Sequence, residues 1–91
     1  MIPVIEGWTE QQNTWRRSFR CADFNTAFGF MTRVALAAEA MDHHPDWRNV
    51  WNLVEITLST HSANHGAGGI TALDATLAQK INEIFAQTPA S

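Results

Sequence analysis

The apolar pattern of this chain changes its period twice, and that change limits the folds it can adopt. Over residues 23–41 apolar side chains recur every three or four positions, as on one face of a helix. Over residues 50–60 they alternate with polar ones, as in a strand buried on one side. The helical period returns over residues 71–87. The chain is therefore expected to place helices against a sheet.

Both predicted helices carry N-terminal signals. Asp23 is a plausible N-cap, and residues 71–74 (Thr-Ala-Leu-Asp) resemble a capping box in which Asp replaces Glu. The predicted inner face of the first helix comprises Phe24, Phe28, Met31, Ala35 and Ala38. That of the second comprises Leu73, Leu77, Ile81, Ile84 and Phe85.

Strands are predicted on both sides of the first helix. The strand over residues 50–60 turns one face to the helices, namely Val50, Val54, Ile56 and Leu58. Residues 15–21 form a second strand with Trp15, Arg17, Phe19 and Cys21 on one side. Residues 7–9 form a weaker one, joined to it by a turn over residues 10–13. This order predicts an α+β fold, a single domain over residues 1–91 with helices packed on one face of an antiparallel sheet.

The other face of the predicted sheet suggests self-association. Trp51 and Leu53 would lie on the side that the helices leave open. Large apolar groups in that position usually contact another subunit, so we expect a homodimer or homotetramer.

Composition excludes several classes of function. The net charge of −3 argues against direct nucleic-acid binding, because such domains are usually basic. No apolar run approaches the roughly 20 residues that cross a membrane, and the N-terminus lacks a secretory pattern, so a cytoplasmic protein is predicted. Cys21 is the only cysteine, which excludes an internal disulfide and a thiolate metal cluster.

The chemistry of the chain is concentrated in two short motifs. Residues 42–47 read Asp-His-His-Pro-Asp-Trp, and residues 59–61 read Ser-Thr-His. Imidazole gains and loses protons near neutral pH, so His43, His44 and His61 are candidates for acid/base catalysis if they share a pocket. Pro45 stiffens the turn by fixing its own φ and favouring an extended His44.

Other interpretations compete with catalysis. A His-His-Pro turn is often only a polar turn. His61 and His65 have the spacing of metal ligands on a helix, but Gly66, Gly68 and Gly69 indicate a loop, and we predict no metal.

Taken together, these motifs resemble the pterin-4a-carbinolamine dehydratases, also called the dimerisation-cofactor family. The similarity runs from about Trp8 to Phe85, is densest over residues 23–39, and continues through residues 42–52 and 56–61 to residues 70, 71 and 74. The double histidine, the tryptophan two residues after proline and the Thr-His pair that closes a strand occur in the family's order and spacing.

The resemblance implies dehydration of a 4a-hydroxytetrahydropterin to the quinonoid dihydropterin, the step that recycles tetrahydrobiopterin after an aromatic amino acid hydroxylase. It implies three active-site histidines, at His43, His44 and His61, and no metal or dissociable cofactor. It also implies a homo-oligomer, with a pterin as the small-molecule partner.

Substrate contacts are expected from four further positions. Glu39 matches the family's acidic residue one helical turn before the first histidine, Asp74 matches a further family position, and Trp47 offers a flat wall to the ring. Pro45 is the fourth expected substrate contact.

Two alternatives stay open at this point. One is an interaction protein that stabilises the dimer of a transcription factor. The other is a pterin-handling protein in molybdenum-cofactor metabolism.

Overall fold

Four antiparallel strands, two α-helices and one short 3₁₀ helix (Asn64–Gly66) form the regular structure of residues 2–89, the part of the chain that the computed structural model describes. The strands are β1 (Thr9–Gln11), β2 (Thr14–Arg20), β3 (Asp46–Val50) and β4 (Leu53–Leu58), and the helices are α1 (Phe24–Ala40) and α2 (Ala72–Ala86). The sheet order is β1-β2-β4-β3. Buried side chains of both helices form one core with β2 and β4, so the predicted α+β fold is confirmed.

Both helices begin where their capping signals predict. The Asp23 side chain accepts a hydrogen bond from the Thr26 amide at 2.7 Å. At the start of α2 the capping box is complete, because Thr71 Oγ1 accepts from the Leu73 amide and Asp74 Oδ2 accepts from the Thr71 amide. Each cap satisfies amides that would otherwise lack a partner in the first helical turn.

The inner face of α1 was predicted only in part, because Ala38 is buried and Met31 packs against the core, whereas the three other predicted residues are exposed. The residues buried against the sheet are Ala27, Phe30, Val34 and Ala38. Phe24 and Phe28 instead lie in the solvent, 51% and 59% exposed. The helix carries two apolar stripes side by side, and the sheet covers the stripe that includes Phe30, which packs against Phe19 and Phe85 with ring centroids 5.1 and 5.5 Å apart.

The inner face of α2 is closer to the prediction. Leu77, Ile81 and Ile84 are buried, and Phe85 packs against the core. Leu73 is 45% exposed and does not belong to this face.

The predicted strand over residues 50–60 is in fact the second half of a hairpin. β3 ends at Val50, which pairs with Leu53, and Trp51 and Asn52 form the two-residue loop between them. Trp51 has φ of 52°, a conformation that such loops use and that bulky residues rarely adopt. Without the usual Asn-Gly or Asp-Gly signal the hairpin could not be recognised in the sequence.

Two side chains hold this unusual loop in place. Asn49 Nδ2 donates to the carbonyls of Trp51 and Leu53 at 3.0 and 2.9 Å. Asn52 is buried and exchanges hydrogen bonds with the backbone of Cys21. The loop is thereby attached to the connection between β2 and α1.

The open face of the sheet is mostly polar, although Leu53 lies on it as predicted, where it pairs with Arg20 and Val50. Arg16, Arg20, Arg48, Glu55 and Thr57 lie on it, in register across β2, β4 and β3. Trp51 belongs to the hairpin loop, where it is 64% exposed, and Leu53 is only partly exposed. Several large apolar side chains are nevertheless exposed at and beside this loop and along α1, namely Val50, Trp51, Phe24, Phe28 and Leu36. In the described residues no helix is long and apolar enough to span a membrane.

Candidate functional site

The end of α1 determines where the double histidine lies. The amide of Asp42 donates to the carbonyl of Glu39, and the amide of His43 donates to that of Ala38. This pair of bonds is a Schellman motif, with Asp42 in the left-handed conformation at φ of 52°. The motif turns the chain sharply, so His43 and His44 leave the helix at a fixed angle rather than on a loose loop.

The third histidine follows the end of β4. Thr60 exchanges two backbone hydrogen bonds with Gly69, at 2.7 and 3.2 Å, which close the loop over residues 61–68. His61 is the first residue of that loop and is exposed. Its imidazole has no hydrogen-bond partner among the side chains of residues 2–89, so both ring nitrogens are available to a ligand.

These two chain segments line one cavity of about 320 Å³, which is open to the solvent. It is lined by Asp42, His43, His44, Ser59, Thr60, His61 and Ser62. The volume is within the range of about 300–1,000 Å³ found for small-molecule sites. The structure therefore brings together the three histidines that the sequence named from distant positions.

His43 is held from behind by a buried carboxylate. Its Nε2 lies 2.7 Å from Oδ1 of Asp74, which has no exposed surface. An ionised carboxylate only accepts hydrogen bonds, so the proton of this contact is on Nε2. Nδ1 is the ring nitrogen left for a bound molecule.

His44 is paired in a different environment. Its Nε2 lies 2.8 Å from Oε1 of Glu39, and both side chains are more than half exposed. An exposed pair of this kind is well solvated and contributes little to stability. Glu39 itself does not line the cavity, but its contact with His44 places it at the rim.

None of the four predicted substrate contacts lines the cavity, and apart from Glu39 at the rim they lie away from it. Asp74 is fully buried behind His43 and cannot touch a ligand in this conformation. Trp47 packs against the core from the edge strand β3, and Pro45 precedes that strand outside the lining. The indole is drawn to the core because Trp47 pairs with Ile56 on the inner side of the sheet.

Four lining residues were not among the predicted site residues, namely Asp42, Ser59, Thr60 and Ser62. Thr60 has the clearest sequence signal, since it is the hydroxyl residue directly before His61 at the end of a strand. Its hydroxyl contacts Thr71 and Asp74 at the start of α2, and these residues come close to Thr60 only in the folded chain.

Other parts of the molecule are less suited to acid/base chemistry. A cavity of about 450 Å³ lies between the N-terminal segment and the indoles of Trp8 and Trp15, but no histidine lines it. Within residues 2–89, no group of three His, Cys, Asp or Glu side chains is arranged to hold a metal ion. Burial, assisted by the charge of Asp23, raises the pKa of the Cys21 thiol, which keeps this thiol in its unreactive neutral form.

A small α+β fold with imidazoles converging on one cavity defines a class of protein suited to proton transfer on a small ligand, and comparison with known proteins identifies the family. The family model described as pterin 4 alpha carbinolamine dehydratase matches residues 2–84. The chain belongs to this family.

Individual relatives agree with the family assignment. A protein of Afipia carboxidovorans, named "Putative pterin-4-alpha-carbinolamine dehydratase", is 55% identical over 85 residues, covering 91% of this chain and 81% of the relative. A protein of the same name from Bradyrhizobium diazoefficiens is 54% identical over 87 residues, covering 93% and 83%. The crystal structure of a transcriptional coactivator/pterin dehydratase from Brucella melitensis superimposes with a TM-score of 0.80 at 48% identity, over 87% of this chain and 82% of the other.

Proposed function

We propose that this protein dehydrates 4a-hydroxytetrahydropterin to quinonoid dihydropterin and water by histidine acid/base catalysis. The observation that carries the proposal is the shared cavity, in which His43, His44 and His61 meet from two separate chain segments. Membership of the dehydratase family supports the reaction class and the pterin substrate.

The reaction needs two proton transfers on neighbouring atoms of the ring. The hydroxyl on C4a leaves as water after receiving a proton, and N5 loses its proton as the C4a=N5 double bond forms. One proton is taken up and one is released, so the reaction needs no oxidant and no reductant. An acid on one side of the ring and a base on the other are sufficient.

The environments of the histidines support a division of these roles. His43 lines the cavity and Asp74 faces its Nε2, which leaves Nδ1 as the nitrogen that can take a proton, and a carboxylate in this position stabilises the imidazolium that then forms. His43 is therefore the proposed base for N5. His61, without a side-chain partner in the described residues, is the proposed acid that protonates the departing hydroxyl.

His44 and Glu39 are the proposed pterin-binding pair. His44 lines the cavity beside His43, and its contact with Glu39 fixes the ring at the rim. A carboxylate in this place can accept hydrogen bonds from the amino group and ring N–H of a pterin. Pro45 contributes by limiting the backbone freedom of the turn, a positioning function rather than a contact.

The proposal is tested by following quinonoid product by absorbance when the protein meets 4a-hydroxytetrahydropterin generated by an aromatic amino acid hydroxylase. We expect His61→Ala and His43→Ala each to lower kcat by about 10²- to 10⁴-fold, the usual contribution of one acid/base group.

His65→Asn is the matched control. His65 is exposed on the same loop as His61, does not line the cavity, and has φ of 59°, a conformation that asparagine tolerates. It should keep full activity. A wild-type protein that does not accelerate the reaction above its spontaneous rate would refute the enzyme assignment.

The physiological setting follows as part of the same proposal. We place the enzyme in the recycling of tetrahydrobiopterin, downstream of an aromatic amino acid hydroxylase that releases the carbinolamine. A role in molybdenum-cofactor metabolism would use the same fold with another pterin. Rates measured with carbinolamines that differ in the side chain on C6 separate the two.

A second candidate function is an interaction surface, and the exposed apolar residues favour it. Phe24, Phe28, Leu36 and Trp51 are each more than half exposed, which is unusual for large apolar side chains of an isolated chain. The Brucella melitensis neighbour is described both as a transcriptional coactivator and as a pterin dehydratase. We propose that this surface joins copies of the chain into a homodimer or homotetramer.

A further inference from the structure

The buried carboxylate of Asp74 is held by donors from three chain segments. Oδ1 faces Nε2 of His43 at 2.7 Å, and Oδ2 accepts from Thr60 Oγ1 at 2.7 Å and from the Thr71 amide at 2.9 Å. A carboxylate without solvent is stable only when its oxygens are hydrogen-bonded. These donors therefore decide the orientation that Asp74 presents to His43.

The two threonine hydroxyls can be given a direction, because each has one proton. Thr71 Oγ1 accepts from the Leu73 amide and lies 2.7 Å from Thr60 Oγ1, but 3.4 Å from Asp74 Oδ2. Donation along the shorter contacts leads from Thr71 to Thr60 and from Thr60 to Asp74. In this arrangement the Thr60 hydroxyl is both a donor and an acceptor.

We propose that Thr60 is a positioning residue, whose hydroxyl fixes the carboxylate of Asp74 and thereby the tautomer and ring orientation of His43. The inference rests on the proposed function and adds a residue that acts through another. Because the backbone of Thr60 is bridged to Gly69 and the next residue is His61, Thr60 also sets the distance between the two proton-transfer groups.

Thr60 allows this positioning function to be separated from helix stability. Thr71 is the N-cap of α2, so its replacement would disturb the helix as well as the site. Thr60 lies outside the helix, and without its hydroxyl the capping box between Thr71 and Asp74 still has the Thr71 amide bond. A defect at Thr60 is therefore expected to appear in the geometry of His43 first.

The test compares Thr60→Val, which removes the hydroxyl and keeps the branched shape, with Thr60→Ser, which keeps the hydroxyl. Thr57→Val is the matched control, because Thr57 lies on β4, three residues before Thr60, and on the open face of the sheet. The readouts are kcat and KM for dehydration and the imidazole nitrogen spectrum of ¹⁵N-histidine-labelled protein, which reports the tautomer of His43 without any substrate.

We expect Thr60→Val to lower kcat by about 10- to 100-fold with little change in KM, since small misplacements of a catalytic group have effects of this size. The His43 spectrum should change from a single Nε2–H tautomer to a mixture. Thr60→Ser and Thr57→Val should match the wild type in both readouts.

An unchanged His43 spectrum in Thr60→Val would overturn the proposal, whatever happens to kcat. If Thr60→Val does not fold, Thr60→Ala is measured in its place, and normal kcat there would also overturn it. If wild-type protein shows no dehydration, the proposed function fails, yet the spectrum still decides whether Thr60 orients His43.

Discussion

At each end of the sheet one residue has a left-handed backbone conformation, but the side chains around the two residues differ in burial and pairing. At the cavity end Asp42 has φ of 52°, and at the hairpin end Trp51 has the same value. Around the cavity the buried polar groups are paired within the chain, as for Asp74. At the hairpin end a large indole is left 64% exposed. The proposed site is built from residues of one chain, whereas the hairpin end and the face of α1 that carries Phe24 and Phe28 leave large apolar side chains exposed, as the proposed interaction surface requires.

Of the variants that test this comparison, Asp74→Asn at the cavity end is expected to have the largest effect on kcat and stability. The amide keeps the size of the side chain but removes the charge that holds His43 and satisfies the cap of α2. We expect kcat to fall by about 10²-fold or more, by analogy with carboxylates that orient a catalytic histidine. Stability should decrease by about 1–3 kcal/mol, because a buried donor loses its acceptor. Kinetics and urea unfolding of the same preparation measure both.

If Asp74→Asn lost the expected stability but kept the kcat of the wild type, the account of the cavity end would be contradicted. Asp74 would then act only as part of the N-cap of α2.

The proposed interaction surface is tested by placing a charge on the face of α1 that exposes Phe24 and Phe28. Phe28→Glu should lower the subunit stoichiometry, measured by light scattering after gel filtration, and leave the monomer folded. Ala86→Glu, on an exposed position of α2, is the control and should not change the assembly. A wild-type protein that is monomeric at micromolar concentration would refute the inferred partner.

A smaller effect is expected from relieving the hairpin loop. Trp51→Asn replaces a bulky residue in the left-handed region by one that tolerates it. We expect a gain of about 0.5–1 kcal/mol in the free energy of unfolding of the monomer. The gain is measured by thermal melting of two proteins, the single variant Phe28→Glu and the double variant Phe28→Glu/Trp51→Asn. Because both carry Phe28→Glu, a change in assembly does not contribute to the difference. A lower melting temperature would show that the indole stabilises the single chain.

The smallest effect concerns the cap of α1, near the hairpin end. The hydrogen bond from the Thr26 amide lowers the pKa of Asp23. A depressed folded-state pKa means that the cap stabilises the protein above the ordinary carboxyl pKa of about 4. This contribution is lost as the pH falls through the lower folded value. Asp23→Ala should therefore melt below the wild type at pH 7, and the difference should shrink in acid.

Features of the fold that depend on neighbouring residues were predicted better than features that depend on distant contacts. The caps at Asp23 and Thr71 placed the helix starts within one residue, because capping depends on neighbours in the chain. The choice between the two apolar stripes of α1 depends on the sheet, and β3 depends on a hairpin loop with no glycine. Neither can be deduced from a few adjacent residues.

The same distinction applies to the site. The histidines were found in the sequence because imidazole is scarce and chemically distinctive. Thr60 was missed because a hydroxyl has no fixed function until α2 brings Thr71 and Asp74 beside it. The substrate contacts predicted for Trp47 and Asp74 followed the family pattern, but burial in the fold gives both side chains other neighbours. The predicted cytoplasmic location stays a prediction.

The most direct test of the central claim is a crystal structure with a bound dihydropterin that lacks the 4a-hydroxyl and so cannot react. The account predicts the bicyclic ring in the histidine cavity, with N5 towards Nδ1 of His43 and C4a within reach of His61. A ring bound elsewhere, such as the cavity beside Trp8 and Trp15, with the histidine cavity empty, would contradict it.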